Sequence, residues 1–356
     1  MERVILAGLN TETQDAYEEL QELASTAGGV TVGTCVQNRE TPNPVTFIGS
    51  GKVEEISVLA KGLKAGTIIF NHNLKANQQR NLEDITGLKI VDRCTLILDI
   101  FAKHARTNEG KLQVELAQLS YLYPRLSGRG ASFSQTGGGI GTVGPGETKL
   151  ETDRRAVRNR MDLLKSKLEH VRTQRAIIRE GRKSKGFLSG ALVGYTNSGK
   201  STLLNALTKA GVLAENKLFS TLDTTTRKLR LESGVEILLT DTVGFIRNLP
   251  ASLIAAFRAT LEETKYADVL LIVLDGSKND LEIQNQTVYN ELKALNILDK
   301  PRITILNKID LLDNVKIARL SNGLDSPVPV SALNKRNLDL LTAKISLVYN
   351  DLLTKS

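Results

Sequence analysis

The segment Gly194-Tyr195-Thr196-Asn197-Ser198-Gly199-Lys200-Ser201 has the spacing of a phosphate-binding loop. It matches the pattern G-x-x-x-x-G-K-[ST], with an apolar run before it and a helical pattern after it. Its glycines let the loop curl so that backbone N–H groups face phosphate oxygens, and the helix dipole adds positive charge. We expect Lys200 to contact the β- and γ-phosphates of a nucleotide and the Ser201 hydroxyl to hold Mg²⁺. The residues expected to contact the nucleotide here are Gly194, Tyr195, Thr196, Asn197, Ser198, Gly199, Lys200, Ser201 and Thr202.

A second candidate, Asp241-Thr242-Val243-Gly244, follows the apolar run Ile237 to Thr240. A carboxylate at the end of a strand can reach Mg²⁺ through water, and the N–H of Gly244 can meet a γ-phosphate at close range. Taken alone, D-x-x-G is a common pattern. Its position downstream of a phosphate loop makes Asp241 and Gly244 candidates for the metal and phosphate sites.

Two further strand ends carry groups that suit a purine base. In Asn307-Lys308-Ile309-Asp310, the two carboxylate oxygens of Asp310 match the N1–H and 2-amino donors of guanine and oppose the N1 acceptor of adenine. Lys308 can lie along the base plane, and Asn307 can tie this segment to the phosphate loop. Ser331-Ala332-Leu333 can offer a backbone N–H to the guanine oxygen. Together the motifs predict guanine specificity.

The pattern of apolar residues predicts repeated βα units in 1–92 and again in 183–356, and therefore α/β folds with largely parallel sheets.

Hydrophobic residues make up 41% of the chain and charged residues 24%, which excludes a largely disordered protein. The apolar runs are too short for a membrane span, so we expect no membrane partner. Two cysteines, Cys35 and Cys94, cannot make a disulfide framework, which favours a cytoplasmic location.

Residues 93–182 lack strand signals and predict an antiparallel helical hairpin. Its tip is the glycine-rich stretch 127–146, and its second helix carries a seam with heptad spacing. The seam residues are Val157, Met161, Leu164, Leu168, Val171 and Ile178. Between Glu151 and Lys185 stand twelve Lys and Arg against five Asp and Glu, while the whole chain has a net charge of +8. This basic stripe favours a nucleic-acid partner, although a solvated helix would have the same charge.

The ordered motifs resemble those of the translation-factor-related GTPases, and longer strings resemble one of their families, HflX. Those strings are Asp92 to Phe101, Glu109 to Leu119, Gly144 to Glu151 and the switch I segment Phe219-Ser220-Thr221-Leu222-Asp223-Thr224-Thr225-Thr226-Arg227. The resemblance implies a Ras-like P-loop GTPase domain after the N-terminal domain and hairpin. It places Phe219, Ser220 and Thr221 at the nucleotide. Thr221 then completes the Mg²⁺ site with Ser201 and Asp241, with Thr225 as the alternative.

The same resemblance implies a GTP-hydrolysing protein that binds the large ribosomal subunit, with its N-terminal domain and hairpin facing ribosomal RNA. We expect the protein to be a monomer. The RNA contacts expected on the hairpin are Arg154, Arg155, Arg158 and Arg160. It also implies possible use of ATP, which the chemistry of Asp310 does not explain. An RNA-binding scaffold with a vestigial nucleotide site is the rival interpretation.

The group that orients the attacking water is not evident. Phe245 stands where Ras-like enzymes have a glutamine, and a phenyl ring can neither orient nor deprotonate water. Arg227 is a candidate for electrostatic assistance, but an exposed arginine is more commonly solvated. We therefore expect slow intrinsic hydrolysis.

Overall fold

The computed structural model describes residues 1–10, 14–128, 145–183, 186–208, 217–232, 234–248, 253 and 263–354. The chain divides into two compact units. The first consists mainly of Met1–Lys103 and Asn108–His170, and the second mainly of His104–Thr107, Val171–Leu249 and Phe257–Ser356. Both contain a sheet with helices packed on it, so the α/β prediction is confirmed.

The first unit contains a four-stranded parallel sheet in the order β2-β1-β3-β4. Its strands are β1 (Glu2–Leu9), β2 (Gly29–Gln37), β3 (Thr67–Phe70) and β4 (Lys89–Asp92), and its helices are α1 (Gln14–Thr26), α2 (Ser50–Gly62) and α3 (Ala76–Thr86). The repeated βα units predicted for 1–92 are present. Ile5, Ile56, Phe70 and Leu82 belong to its buried core.

Buried charges at the carboxyl end of this sheet are paired within the unit. Arg93 is 2% exposed and contacts Glu19 and Asn71. Asp92 is fully buried and accepts hydrogen bonds from the N–H groups of Leu74 (3.1 Å) and Thr95 (2.8 Å). Burial of an unpaired charge is costly, so this network serves the fold.

Two further helices follow α4 (Arg93–His104). They are α5 (Asn108–Leu122), which leads into a short 3₁₀ helix (Tyr123–Gly128), and α6 (Pro145–Lys183). Glu115 contacts Arg160 at 2.6 Å, and Tyr123 lies against Arg154 and Arg158. Arg154 and Arg158, early in α6, thus lie against Tyr123, just after α5, whereas Arg160 contacts Glu115 within α5. The two helices therefore run antiparallel, as predicted. Most of the predicted tip, 127–146, lies outside the described residues.

The predicted seam of α6 is correct at its centre and wrong at its end. Leu164 and Leu168 are buried, but Ile178 is 54% exposed. Arg175 and Arg179 lie half-buried where the seam was expected to continue. An α-helix has 3.6 residues per turn, so a 3.5-residue repeat drifts by about 20° per heptad. Over two heptads the drift carries Ile178 out of the buried face.

The second unit contains a six-stranded sheet in the order β10-β9-β8-β5-β7-β6, parallel except for β6. Its strands are β5 (Leu188–Gly194), β6 (Thr225–Arg230), β7 (Glu236–Asp241), β8 (Val269–Asp275), β9 (Arg302–Asn307) and β10 (Val328–Pro329), and its helices are α7 (Lys200–Thr208), α8 (Leu281–Ala294), α9 (Asn314–Asn322) and α10 (Leu338–Leu353). Because five strands are parallel, their carboxyl ends meet at one edge, where the predicted motifs lie.

Helix α9 was not predicted from the sequence. It has no fully buried residue, and within its nine residues Ile317 and Leu320 pack partly buried against the core, so its apolar pattern is too short to stand out in the sequence. Its start is nevertheless marked, because the Asp313 carboxylate accepts a hydrogen bond from the N–H of Lys316 at 2.7 Å.

Both cysteines are free and buried. No helix in the described part of the chain is long and apolar enough to cross a membrane.

Adjacent leucines of α6 test the packing of the hairpin. Leu164 is fully buried and Leu163 is 47% exposed. We expect Leu164→Ala to lower the free energy of unfolding by about 2–5 kcal/mol, because the buried leucine leaves a cavity. Leu163→Ala should change it by less than about 0.5 kcal/mol. Urea unfolding followed by circular dichroism measures both, and equal losses would contradict the assigned face.

Candidate nucleotide-binding site

A cavity of about 340 Å³ opens at the carboxyl edge of the second sheet. Five segments supply its walls: the phosphate loop, switch I, the D-x-x-G segment, and the two segments that follow β9 and β10. Its lining residues are Thr196, Asn197, Gly199, Lys200, Ser201, Thr202, Phe219, Ser220, Thr221, Thr242, Gly244, Asn307, Lys308, Asp310, Leu311, Ala332 and Leu333. The structure therefore brings the separate sequence motifs to one place.

Lys200 is the buried cation of the phosphate loop. Its Nζ donates to the carbonyl oxygens of Tyr195 (2.8 Å) and Gly194 (3.3 Å). Burial lowers the pKa of Lys200 to about 8; nearby Asp241 opposes the shift and Lys308 adds to it. Among the described residues, the hydrogen bonds of this ammonium go to these two carbonyl oxygens, so an anionic ligand in the cavity would stabilise its charged form.

Two glycines are required by close approach of the loops. Gly199 has a φ of +92°, and a Cβ there would lie 2.3 Å from Nδ2 of Asn307. A Cβ on Gly244 would lie 2.5 Å from Cα of Thr196. Any side chain at either position would push apart segments that line the cavity.

Three oxygen-bearing side chains meet at the base of the phosphate loop. The Ser201 hydroxyl donates to Oδ2 of Asp241 at 2.5 Å and lies 2.7 Å from Oγ1 of Thr221, which donates to the same carboxylate oxygen at 3.2 Å. Burial raises the pKa of Asp241, against the opposing effect of Lys200. Oδ1 of Asp241 is buried with no hydrogen-bond partner among the described residues. Hydroxyl and carboxylate oxygens are the ligands that Mg²⁺ prefers, so these residues fit that ion.

The alternative threonine of switch I lies elsewhere. Thr225 is the first residue of β6 and does not line the cavity, whereas Thr221 does. Phe219, buried at 2% exposure, anchors the segment because its N–H donates to Oγ1 of Thr196 at 2.8 Å. The geometry favours Thr221 as the metal-site threonine.

Asn307 links the base-recognition segment to the phosphate loop, as its motif predicted. Its Nδ2 donates to the Ser198 carbonyl at 2.9 Å, and its Oδ1 accepts from the N–H of Ala332 at 3.0 Å. The Ser331 hydroxyl donates to Oδ1 of Asp310 at 2.5 Å. That bond fixes the carboxylate beside the cavity.

Some residues predicted to contact the nucleotide stand behind the cavity lining. Tyr195 is 3% exposed, and Ser198, Asp241 and Ser331 are fully buried. The Tyr195 hydroxyl accepts from the N–H of Arg247 at 2.9 Å. Gly194 pairs with Phe245 through their backbones at 3.0 Å. These residues hold the loops, and their direct contact with a nucleotide stays a prediction.

Phe245 is a core residue. It is 2% exposed and packs with Val193, Leu270 and other apolar residues of the second unit. Arg227 is exposed, donates to the carbonyl oxygen of Thr226 at 2.9 Å and does not line the cavity. Neither side chain is placed to orient water over the phosphate site.

The four hairpin arginines differ in their contacts. Arg160 forms a two-point ion pair with Glu115 at 2.6 and 3.0 Å. Arg158 donates to the Tyr123 hydroxyl at 2.5 Å, and Arg154 lies 5.2 Å from the centre of the same ring. Arg155, 73% exposed, is 3.8 Å from Glu151. Arg154 and Arg158 thus share an aromatic-backed face, whereas Glu151 lies near Arg155 and Glu115 neutralises Arg160.

Sequence reasoning missed several residues at the site. Thr242 and Leu311 line the cavity, and their positions inside or just after recognised motifs could have identified them. Asp223 of switch I accepts hydrogen bonds from the N–H groups of Arg106 and Thr107, both at 2.9 Å. No sequence signal joins these residues, which are more than a hundred positions apart.

Three family models match consecutive parts of the chain. A model described as GTP-binding GTPase N-terminal matches residues 14–102. One described as GTP-binding GTPase Middle Region matches 104–182, and one described as 50S ribosome-binding GTPase matches 189–308.

Proteins named GTPase HflX are similar to this chain over most of its length. The protein from Caldanaerobacter subterraneus subsp. tengcongensis is 50% identical over 97% of this chain and 80% of its own. The Escherichia coli protein is 45% identical over 85% of this chain and 72% of its own. The crystal structure of a GTP-binding protein from Sulfolobus solfataricus in complex with GDP has a TM-score of 0.50 and 27% identity, covering 99% of this chain and 100% of that one.

The buried lysine predicts pH-dependent nucleotide binding. Phosphate groups stabilise the charged form of Lys200, so its pKa is higher in the complex than the value of about 8 in the free protein. The complex then holds more protons than the free protein near pH 8. GDP binding should take up protons there, and affinity should fall by up to about tenfold per pH unit above it. Titration calorimetry in buffers of different ionisation enthalpy measures the uptake.

Lys200→Met is the control for that experiment, because it removes the titrating group. Its weaker GDP binding should show no proton uptake between about pH 7.5 and 9. Wild-type binding without proton uptake in this range would contradict the assignment of the shifted pKa to the phosphate site.

Proposed function

The chain belongs to the HflX family of GTPases, and on this basis we propose that it is a GTP-hydrolysing switch that acts on the large ribosomal subunit. The observation that carries the proposal is the convergence of phosphate, metal and base motifs on one cavity. The GDP complex of the similar Sulfolobus solfataricus protein supports a guanine nucleotide as the ligand.

Guanine recognition falls to the segments after β9 and β10. Asp310 accepts the Ser331 hydroxyl at Oδ1, and the remaining lone pairs of its two carboxylate oxygens are left for the N1–H and 2-amino donors of guanine. Asn307 fixes the distance between these segments and the phosphate loop, because its amide bonds both Ser198 and Ala332. Adenine would place an acceptor against Asp310 and leave a buried polar group unpaired, which favours GTP over ATP.

Mg²⁺ is the proposed metal, and Ser201, Thr221 and Asp241 are the residues that would hold it. When bound with GTP, the ion would neutralise charge on the β- and γ-phosphate oxygens. The chain contributes the Ser201 hydroxyl, the buried Asp241 carboxylate and a switch I threonine that contacts both. Binding of Thr221 at this site would order switch I and so couple its shape to the nucleotide.

Hydrolysis by the free protein is proposed to be slow. Gly244 and Lys200 line the cavity and can stabilise the γ-phosphate, but Phe245 packs into the core. An unassisted GTPase of this kind turns over at roughly 10⁻⁴ to 10⁻² per second. The missing water-orienting group is then supplied or positioned by the ribosomal partner.

Ribosome association is supported by the family model described as 50S ribosome-binding GTPase. The basic face of α6 offers the contact to ribosomal RNA, with Arg154 and Arg158 set against the Tyr123 ring. Arginine planes and aromatic rings together suit unstacked RNA bases and phosphates. We propose that the hairpin, 93–182, and the preceding domain, 1–92, contact the RNA, and that 183–356 is the nucleotide domain. A monomer in the cytoplasm is part of the same proposal.

Paired threonine variants test the metal site. Thr221→Ala should lower GTP turnover in the presence of large subunits by about 10- to 150-fold, the loss expected for a bond to a charged group. It should also raise the Mg²⁺ concentration needed for half-maximal rate. For Thr225→Ala, the turnover rate and the Mg²⁺ concentration needed for half-maximal rate should both stay within about twofold of the wild-type values. Phosphate release at varied Mg²⁺ measures both, and the opposite ranking would assign the site to Thr225.

Neutral arginine variants test the RNA-facing role of α6. The triple change Arg154→Gln, Arg155→Gln and Arg158→Gln should abolish co-sedimentation with large ribosomal subunits at ordinary salt and leave GDP affinity unchanged. For the wild type, each phosphate contact should add about 0.7–0.9 to the slope of log affinity against log salt.

Arg160→Gln is the matched control, because Glu115 already neutralises that side chain. Arg160→Gln alone should weaken subunit binding less than a double variant that combines any two of the changes at Arg154, Arg155 and Arg158. Wild-type sedimentation of the triple variant would show that these arginines only solvate the helix.

A further inference from the structure

Asp275, at the carboxyl end of β8, is a buried carboxylate that none of the nucleotide motifs includes. It is 3% exposed. Its Oδ1 accepts from the N–H of Ser277 at 3.0 Å and from the Ser277 hydroxyl at 2.6 Å. These two bonds orient the carboxylate so that Oδ2 faces away from the turn.

Oδ2 of Asp275 forms an ion pair of 2.7 Å with Nζ of Lys308, a residue that lines the nucleotide cavity. Lys308 has a left-handed backbone conformation, with φ of 63°. Its side chain is 23% exposed, whereas its partner is almost wholly excluded from water. The lysine side chain is therefore held at its tip, and its methylene groups are left along the cavity.

The backbone joins the same two segments. The N–H of Gly276 donates to the carbonyl oxygen of Asn307 at 3.0 Å. A Cβ on Gly276 would lie 3.2 Å from that oxygen and 2.9 Å from Leu312. The end of β8 thus supports both residues, Asn307 and Lys308, that precede the guanine-reading Asp310.

We propose that Asp275 is a positioning residue for base recognition, which holds Lys308 so that its aliphatic chain lies along the purine plane. This inference rests on the proposed guanine-nucleotide function. Without the ion pair, the lysine would turn towards solvent or towards the phosphates, where Lys200 already stands. Asp275 would then affect nucleotide affinity only through Lys308. Replacing Asp275 would therefore leave nucleotide affinity unchanged in a protein whose Lys308 has already been replaced by an uncharged residue.

Asp275→Asn is the variant of choice, because it keeps the shape and the oxygen that accepts from Ser277 and removes the charge that pairs with Lys308. We expect GDP affinity to fall about tenfold. In a Lys308→Met background, the same change should lower GDP affinity by less than about twofold. Titration calorimetry of the full chain with GDP gives all four values of this cycle.

Ser277→Ala is the matched control, since it removes a partner of the same carboxylate and leaves the ion pair. It should bind GDP within about threefold of wild type. A wild-type protein that does not bind GDP would overturn the proposed function itself. With wild-type binding present, unchanged affinity of D275N, equal losses in both backgrounds, or failure of D275N to fold would each show that Asp275 is only structural.

Discussion

The side-chain amide of Asn307 is the contact on which the nucleotide site depends. It donates to the Ser198 carbonyl and accepts from Ala332, so one planar group sets the separation of three segments that follow different strands. The approach is close enough that Gly199 has no room for a side chain. Phosphate and base elements on these segments can serve one ligand only if their distance is fixed. Asn307 fixes it without the ligand.

The buried charged groups of the two units differ in how well the protein itself stabilises their ionised forms. Burial lowers the pKa of Lys200 to about 8 and raises the pKa of Asp241. Each shift disfavours the ionised form, and each group partly offsets the shift of the other. An anion beside Lys200 and a cation beside Asp241 would relieve both. In the first unit, by contrast, the buried Asp92 and Arg93 have hydrogen-bond or ion-pair partners within the protein and serve its stability.

The sequence was sufficient for the α/β fold class and for most of the residues that line the cavity, because both follow from local patterns. A strand followed by a glycine-rich turn and a helix has one common geometry, and parallel strands bring their ends together. The exposure of Ile178 and the presence of α9 were not predicted, for physical reasons: helical drift moves Ile178 off the buried face, and the short α9 packs only partly buried residues against the core. The Asp275–Lys308 ion pair was not predicted, because it depends on a tertiary contact between neighbouring strands that the local sequence pattern does not indicate.

Phe245 shows how the fold and the chemistry constrain each other. Its backbone pairs with Gly194 and Thr196, which ties the D-x-x-G segment to the start of the phosphate loop. Its ring fills the core beside Val193 and Leu270, where a glutamine would bury an amide among apolar side chains. The position is thus used for holding Gly244 against the phosphate loop. In the proposed function, a segment fixed in this way would bind the γ-phosphate and leave the attacking water to be oriented by the ribosomal partner.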